Sequence, residues 1–235
     1  MEKLTITNFQ EYLHHINEIK ELGRNIVLFR GQTTNEPLLP SIARLNPKKD
    51  TTLIEKEVIE EFIRRSNLLV KEKIDNDWEL LILAQHFGLK TRLLDWSSNP
   101  LVALWFACSS EFHMNKPSYV YILNSTKEMI LDLKKNESPF NTTVTKILQP
   151  TLNNNRIIAQ SGWFTAHKYD TNLNKFIALE NITKIKPLLT QIEIISDAKV
   201  EILRKLAVYG INNRTIYPDL TGLCSHLNWK YRDEF

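Results

Sequence analysis

Arg30 closes the apolar run Asn25–Phe29 and is followed at once by Gly31 and Gln32. A guanidinium is a permanent, planar cation whose fork of donors fits two oxygens of a phosphate or carboxylate. At the end of a short β-prone run it would stand at a sheet edge or cleft. A glycine beside it would let the backbone come close to a ligand. The same residues also suit a structural salt bridge and a turn, so the tetrapeptide alone leaves both open.

A second group lies in the most hydrophobic stretch of the chain, Leu83–Cys108, which reads LAQHFGLKTRLLDWSSNPLVALWFAC. Polar residues are set into it: Gln85, His86, Thr91, Arg92, Asp95, Ser97, Ser98 and Asn99. Buried polar groups are costly without partners, so such an arrangement implies a network or a site. Asn99 suits an N-cap and Pro100 the first helical position. The free N–H groups of that helix start favour an anion, and Ser97 and Ser98 add hydroxyl donors. Plain capping is the simpler role for the same residues. Asp95 argues against a phosphate close by and suits pairing with Arg30 or Arg92, or receiving a ligand hydroxyl. His86 fits either a satisfied core residue or, with Asp95, the acid–base pair of a hydrolase.

A third group is Arg156-x-x-x-Gln160-x-Gly162-x-Phe164, followed by His167. Gln160 in an apolar run with a glycine two residues on fits a strand that approaches a ligand, and equally a bulge. Cys108 and Cys224 are far apart and lack metal-ligand spacing, so no metal is expected. Cys108 is expected to pack as a small hydrophobe.

The elements that must position these groups are legible from periodicity. Thr7–Leu22 is an amphipathic helix with Gly23 as its stop. Asn25–Phe29 is a short strand. Thr52–Lys73 is a long helix using Ile54, Val58, Phe62, Leu69 and Val70. Asp77–Phe87 is a helix ended by Gly88. Thr91–Trp96 is a strand and Asn99–Cys108 a buried helix. Ser118–Leu123 is a strand, and Asn124–Asn155 is a polar, loop-rich excursion with little core. Arg156–Phe164, Ile182–Lys186 and Gln191–Ile195 are further strand candidates. Ser196 is placed to cap a helix over Asp197–Tyr209, stopped by Gly210. Thr215–Tyr217 is β-prone, and Pro218 opens a last helix to Leu227. No βαβ rhythm, GxGxxG or P-loop is present. One α+β domain over residues 1–235, a mixed sheet with flanking helices, is the expected fold.

Composition is that of an ordinary globular chain, 43% hydrophobic and 24% charged over 235 residues. The formal charge of +3 permits an anionic partner without requiring one. The N-terminus has no basic and apolar regions of a signal peptide, and no window reaches a membrane span. A cytoplasmic protein with no membrane partner is therefore expected.

Together the motifs resemble the FRG domain. The matching segments are FRGQ at Phe29–Gln32, LLPSIARL at Leu38–Leu45, Leu83–Ala107, RIIAQSGWFTAH at Arg156–His167, and Ile202–Leu223. The resemblance spans about residues 20–228, with Lys90 departing from the more usual Pro or small residue. More distantly, the chain resembles the ADP-ribosyltransferase fold, which also sets an Arg of a Tyr/Phe-Arg-Gly motif on its first core strand. That likeness implies NAD as substrate and a macromolecular acceptor, nucleic acid or protein. It implies a toxin or defence effector, with a neutralising antitoxin as a further partner. Arg30, Gly31, Gln32, Trp96, Ser97, Ser98 and Asn99 would then hold NAD, with Trp96 stacking on a ring. The fold's catalytic Glu lies on a later strand. Here Gln160 is neutral, Glu180 and Asp219 sit in other contexts, and Asp95 lies in a different element. Arg30, Gln160, Asp95 and His86 are the candidate catalytic residues. The alternative is a non-catalytic nucleotide- or phosphate-binding module.

Overall fold

The computed structural model describes residues 1–21, 26–66, 68–69, 74, 76–132, 138–151, 154–232 and 234. In chain order the elements are β1 (Glu2–Ile6), α1 (Phe9–Glu21), β2 (Ile26–Gln32), α2 (Thr52–Ser66), α3 (Asp77–His86), β3 (Leu93–Ser97) and α4 (Pro100–Cys108). There follow β4 (Ser118–Ser125), β5 (Lys146–Leu148), α5 (Asn155–Ala159), β6 (Gly162–Ala166), β7 (Tyr169–Asp170) and β8 (Lys175–Phe176). The chain ends with β9 (Leu189–Ile194), α6 (Lys199–Val208), α7 (Asn213–Ile216) and α8 (Leu220–Lys230).

Seven strands form one mixed sheet in the order β1-β9-β4-β2-β3-β6-β5, flanked by helices. Only β1 and β9 run parallel; the other neighbours are antiparallel. β4 is buried along nearly its whole length, as a central strand covered on both faces must be. One face of the sheet carries Phe29, Val120, Ile122, Ile192 and Ile194 against α1, α4 and α6. Beyond β2, the same side continues through Leu93, Phe164 and Leu148 against α3. The opposite face carries Leu28, Leu94, Trp96 and Leu123 under Leu38, Leu179 and Ile185.

Helix α4 is buried almost all round, which explains its lack of a polar face. It lies on Gly31: a Cβ there would come within 2.0 Å of the Ala103 carbonyl oxygen. α2 is tied to the start of β3 by a buried pair. Arg92 Nε donates to Glu55 Oε2 at 2.8 Å, and the Arg92 amide donates to Glu55 Oε1 at 2.7 Å. Arg92 thus pairs with Glu55, not Asp95.

Several elements depart from expectation. Arg156–Phe164 is not one strand: Asn154 accepts from the Arg156 amide and starts the short helix α5. Ser161 then turns the chain at φ 48° before β6 begins at Gly162. Asn124–Asn155 contains an edge strand, β5, with Ile147 and Leu148 buried. Three residues are too few to show an alternation. Ile182–Lys186 is irregular, and the strand begins at Leu189. Thr215–Tyr217 is drawn into α7 by a capping box between Asn212 and Thr215. Ser196 hydrogen-bonds Asp197 instead of capping α6. β1 was not expected. α2 ends at Ser66; Gly23, Asn25, Val70 and Lys73 lie outside the described residues. Gly88 and Gly210 stop their helices at φ 91° and 79°, as expected. Among the described residues, no helix is long and apolar enough to cross a membrane.

Candidate functional site

β2 and β3 pair at a single position, Phe29 opposite Ser97, and then part. Arg30 spans the opening. Its Nη1 donates to the Asp95 carbonyl at 2.8 Å and lies 3.9 Å from Asp95 Oδ2. Its Nε donates to Gln32 Oε1 at 3.1 Å, and Gln32 Nε2 donates onward to the Glu36 carbonyl at 2.9 Å. No hydrogen-bond partner of Nη2 is found among the described residues. The side chain is 13% exposed. Burial pulls its pKa down to about 10, which Asp95 opposes and Arg44 reinforces. Arg30 therefore stays charged at neutral pH, preorganised with one donor arm unspent.

Asp95 is held from a second side. Gln85 Nε2 donates to Asp95 Oδ1 at 2.7 Å, while Gln85 Oε1 accepts from the Thr91 hydroxyl. The amide can serve both partners in only one orientation, so Thr91 and Gln85 position the carboxylate. A cavity of about 90 Å³ opens beside it, lined by Gln85, His86, Asp95, Trp96, Arg156 and Gln160 among others. Three of the four candidate catalytic residues thus line one cavity, and the fourth, Arg30, grips Asp95. Burial, then Arg156, holds the His86 imidazole below its ordinary pKa, favouring the neutral form. The cavity is well under the roughly 300–1,000 Å³ of ordinary ligand pockets. It can enclose a small group, not a dinucleotide.

The remaining predicted residues have occupied side chains. Ser97 Oγ donates to the Gln160 carbonyl at 2.7 Å and accepts from the Asn99 amide at 3.0 Å. Ser98 bonds the Ser161 carbonyl through both amide and hydroxyl. Asn99 caps α4 by accepting from the Leu101 amide at 2.9 Å. Trp96 is 3% exposed and donates from Nε1 to Thr165 Oγ1 at 3.0 Å. The Gln160 carboxamide donates to the Ile216 carbonyl at 3.4 Å, and the residue closes α5 instead of lying on a strand. The close backbone approach expected at Gly31 is made to α4. Ser97 and Ser98 therefore latch the β3–α4 junction to the turn before β6.

Sequence reasoning missed the polar cluster on Arg30's own face of the sheet. Register places Arg30 beside Tyr121 and Tyr121 beside Gln191. Asn35 Oδ1 accepts from Tyr121 Oη and Gln191 Nε2, both at 2.8 Å. Glu193, two residues beyond Gln191, shares that face opposite Tyr119. His167, 1% exposed, lies close enough for Arg30 to disfavour its protonation. The available signal was the strand Gln191–Ile195, whose alternate residues Gln191 and Glu193 are polar. Among the described residues, no group of three or more His, Cys, Asp or Glu side chains is placed to hold a metal ion.

The fold and site define a mixed-sheet protein with an arginine-centred opening between two strands. Residues 25–116 match the FRG domain. That span contains both Phe29–Gln32 and Leu83–Ala107. No curated protein and no solved structure matches the chain.

Proposed function

We propose that the chain transfers ADP-ribose from NAD to a macromolecular acceptor. The observation that carries this reading is the parting of β2 and β3 at Arg30, a fixed cation with an unspent donor beside the Asp95 cavity. In such a transfer the bond from nicotinamide to ribose breaks, nicotinamide leaves with the electron pair as positive charge develops on the ribose, and a nucleophilic atom of the acceptor bonds to the same ribose carbon and gives up its proton to solvent. A preorganised cation suits the diphosphate, and a carboxylate suits the ribose hydroxyl and the developing charge. Glu193 is the acid this reading assigns. It lies two strands from Arg30 on the same face, on the order of 10 Å away from strand spacing. The 90 Å³ cavity at Asp95 opens on the α3 side of the sheet, opposite Glu193, so in this reading the dinucleotide lies along Arg30's own face and the cavity takes no part of it. An enzyme of this kind acting on nucleic acid or protein would serve as a toxin or defence effector.

Labelled NAD incubated with the full chain and cell extract tests the reading. Label transfer and nicotinamide release are expected, with loss in Arg30→Ala and in Glu193→Gln. The second reading, a non-catalytic nucleotide- or phosphate-binding module, is favoured by the small cavity and by the commitment of Gln160 to Ile216. NAD binding that needs Arg30, without nicotinamide release, would establish the module and overturn the transferase.

A further inference from the structure

The cavity on the α3 side of the sheet holds two opposite charges that do not meet. Asp95 and Arg156 both line its space of about 90 Å³, and no ion pair joins them. Each is fixed by groups of its own. Gln85 Nε2 donates to Asp95 Oδ1 at 2.7 Å, and Arg30 Nη1 lies 3.9 Å from Oδ2. On the other wall, Asn154 caps α5 and so sets Arg156 in its first turn. There the guanidinium carbon lies 4.6 Å from the centre of the Tyr217 ring. Stacking occupies the flat face of a guanidinium and leaves the donors along its edge. Among the described residues, no acceptor for those donors is found. Burial, then Arg156, favours the neutral form of the neighbouring His86, so the cavity has one cation and not two.

Opposite charges facing one small space would close into a salt bridge if either side chain were free to swing. Here the ring of Tyr217 restrains one, and Gln85 with Arg30 restrains the other. A simple anion entering the cavity would be repelled by Asp95, and a simple cation by Arg156. A molecule carrying both charges satisfies both walls at once. At about 10–15 Å³ for each water-sized group, the cavity has room for roughly six to nine such groups. That is the size of a short amino acid and far below that of a nucleotide. The Asp95 side chain is 63% exposed, so its end of the cavity is the open one. We propose that this cavity binds a small zwitterion, a short free amino acid, with its carboxylate on the edge of Arg156 and its ammonium on Asp95.

Nuclear magnetic resonance of the isotope-labelled full chain, titrated with glycine and with β-alanine into the millimolar range at constant ionic strength, tests this. NAD is absent, so the outcome does not turn on the transferase reading. Saturable shifts of the Gln85 and Gln160 side-chain amides, both in the cavity wall, are expected with at least one of the two amino acids. Acetate and methylamine, which carry one charge each, should produce no such shifts over the same range. Arg156→Gln and Asp95→Asn should each weaken binding about tenfold to a hundredfold, the loss of one charged hydrogen-bonding partner. Dispersed spectra identify the variants that fold; if Asp95→Asn does not, Arg156→Gln and the single-charge controls still decide. Absence of saturable shifts with either amino acid overturns the proposal. Acetate that binds equally well, the mark of a plain anion site, overturns it, as does undiminished affinity in a folded Arg156→Gln chain.

Discussion

His167 should make the fold sensitive to mild acid. Its Nε2 lies 3.2 Å from Thr165 Oγ1, which itself accepts from Trp96 Nε1 at 3.0 Å. The ring is thus buried with a single side-chain hydrogen bond, through Nε2, whose direction follows the tautomer. Burial, then the nearby Arg30 cation, pushes the pKa from 6.5 down to about 3, partly offset by the Ile177 main chain. The folded state refuses a proton that the unfolded chain accepts. Stability from this group is fully present above pH 6.5 and is lost as pH falls toward 3. The slope is about 1.4 kcal/mol per pH unit, so about 2 kcal/mol should be gone by about pH 5. Urea unfolding at neutral pH and near pH 5 measures this in the native chain and in His167→Gln. The variant should be less stable at neutral pH, and its deficit should shrink by about 2 kcal/mol in acid. Titrating carboxylates are common to both proteins and cancel in the difference. An unchanged deficit across the two conditions would refute the reasoning.

Two further substitutions test how the site is held. Gly31→Ala would set a Cβ 2.0 Å from the Ala103 carbonyl oxygen and 2.6 Å from the Ala107 amide. Both are backbone atoms of α4, so the helix must shift, and a loss of about 1–3 kcal/mol or more is expected in thermal unfolding; an unchanged melting temperature would show that Gly31 is not in contact with α4. Glu55→Ala would strand the Arg92 guanidinium, whose side chain and partner are each 1% exposed. A loss of about 3–5 kcal/mol is expected, and a double Glu55→Leu, Arg92→Met variant should recover most of it. Equal losses in the single and double variants would show that packing, not the unpaired charge, sets the cost.

Periodicity made the helices legible, but not always their faces: in α2, Ile54 and Val58 are exposed while Glu55 and Ile59 are buried. α1 buries Phe9, Tyr12 and Ile16 at helical spacing, and β4 and the buried α4 are continuous apolar runs. The parts that escaped are short and decided by capping or by pairing. Asn154 and Asn212 nucleate α5 and α7 in sequence that otherwise reads as strand. β1 has one buried residue, Ile6, and exists because β9 offers it a parallel edge. Site residues divide the same way. The contact between Arg30 and Asp95 was one of two pairings that composition allowed, and the choice turns on Glu55, 37 residues before Arg92, which no local pattern connects to it.

The tripeptide Arg30-Gly31-Gln32 shows why the structural and functional readings of the motif need not compete. In a strand, neighbouring side chains face opposite sides of the sheet. Gly31 faces α4, where the helix backbone leaves no room for a Cβ. Arg30 and Gln32 face the other side, where Gln32 orients the guanidinium and Asp95 receives it. The glycine is therefore explained by packing alone, and it lends no weight to ligand approach. What remains for function is the guanidinium, because two of its nitrogens are spent on fixing its position. A purely structural arginine at this opening would be expected to engage the Asp95 carboxylate bidentately, yet it takes the carbonyl at 2.8 Å and leaves Oδ2 at 3.9 Å. The carboxylate is drawn instead toward Gln85 and the cavity. The carboxylate stays within ion-pair reach of Arg30 at 3.9 Å, and the arm that an anionic ligand would meet is Nη2.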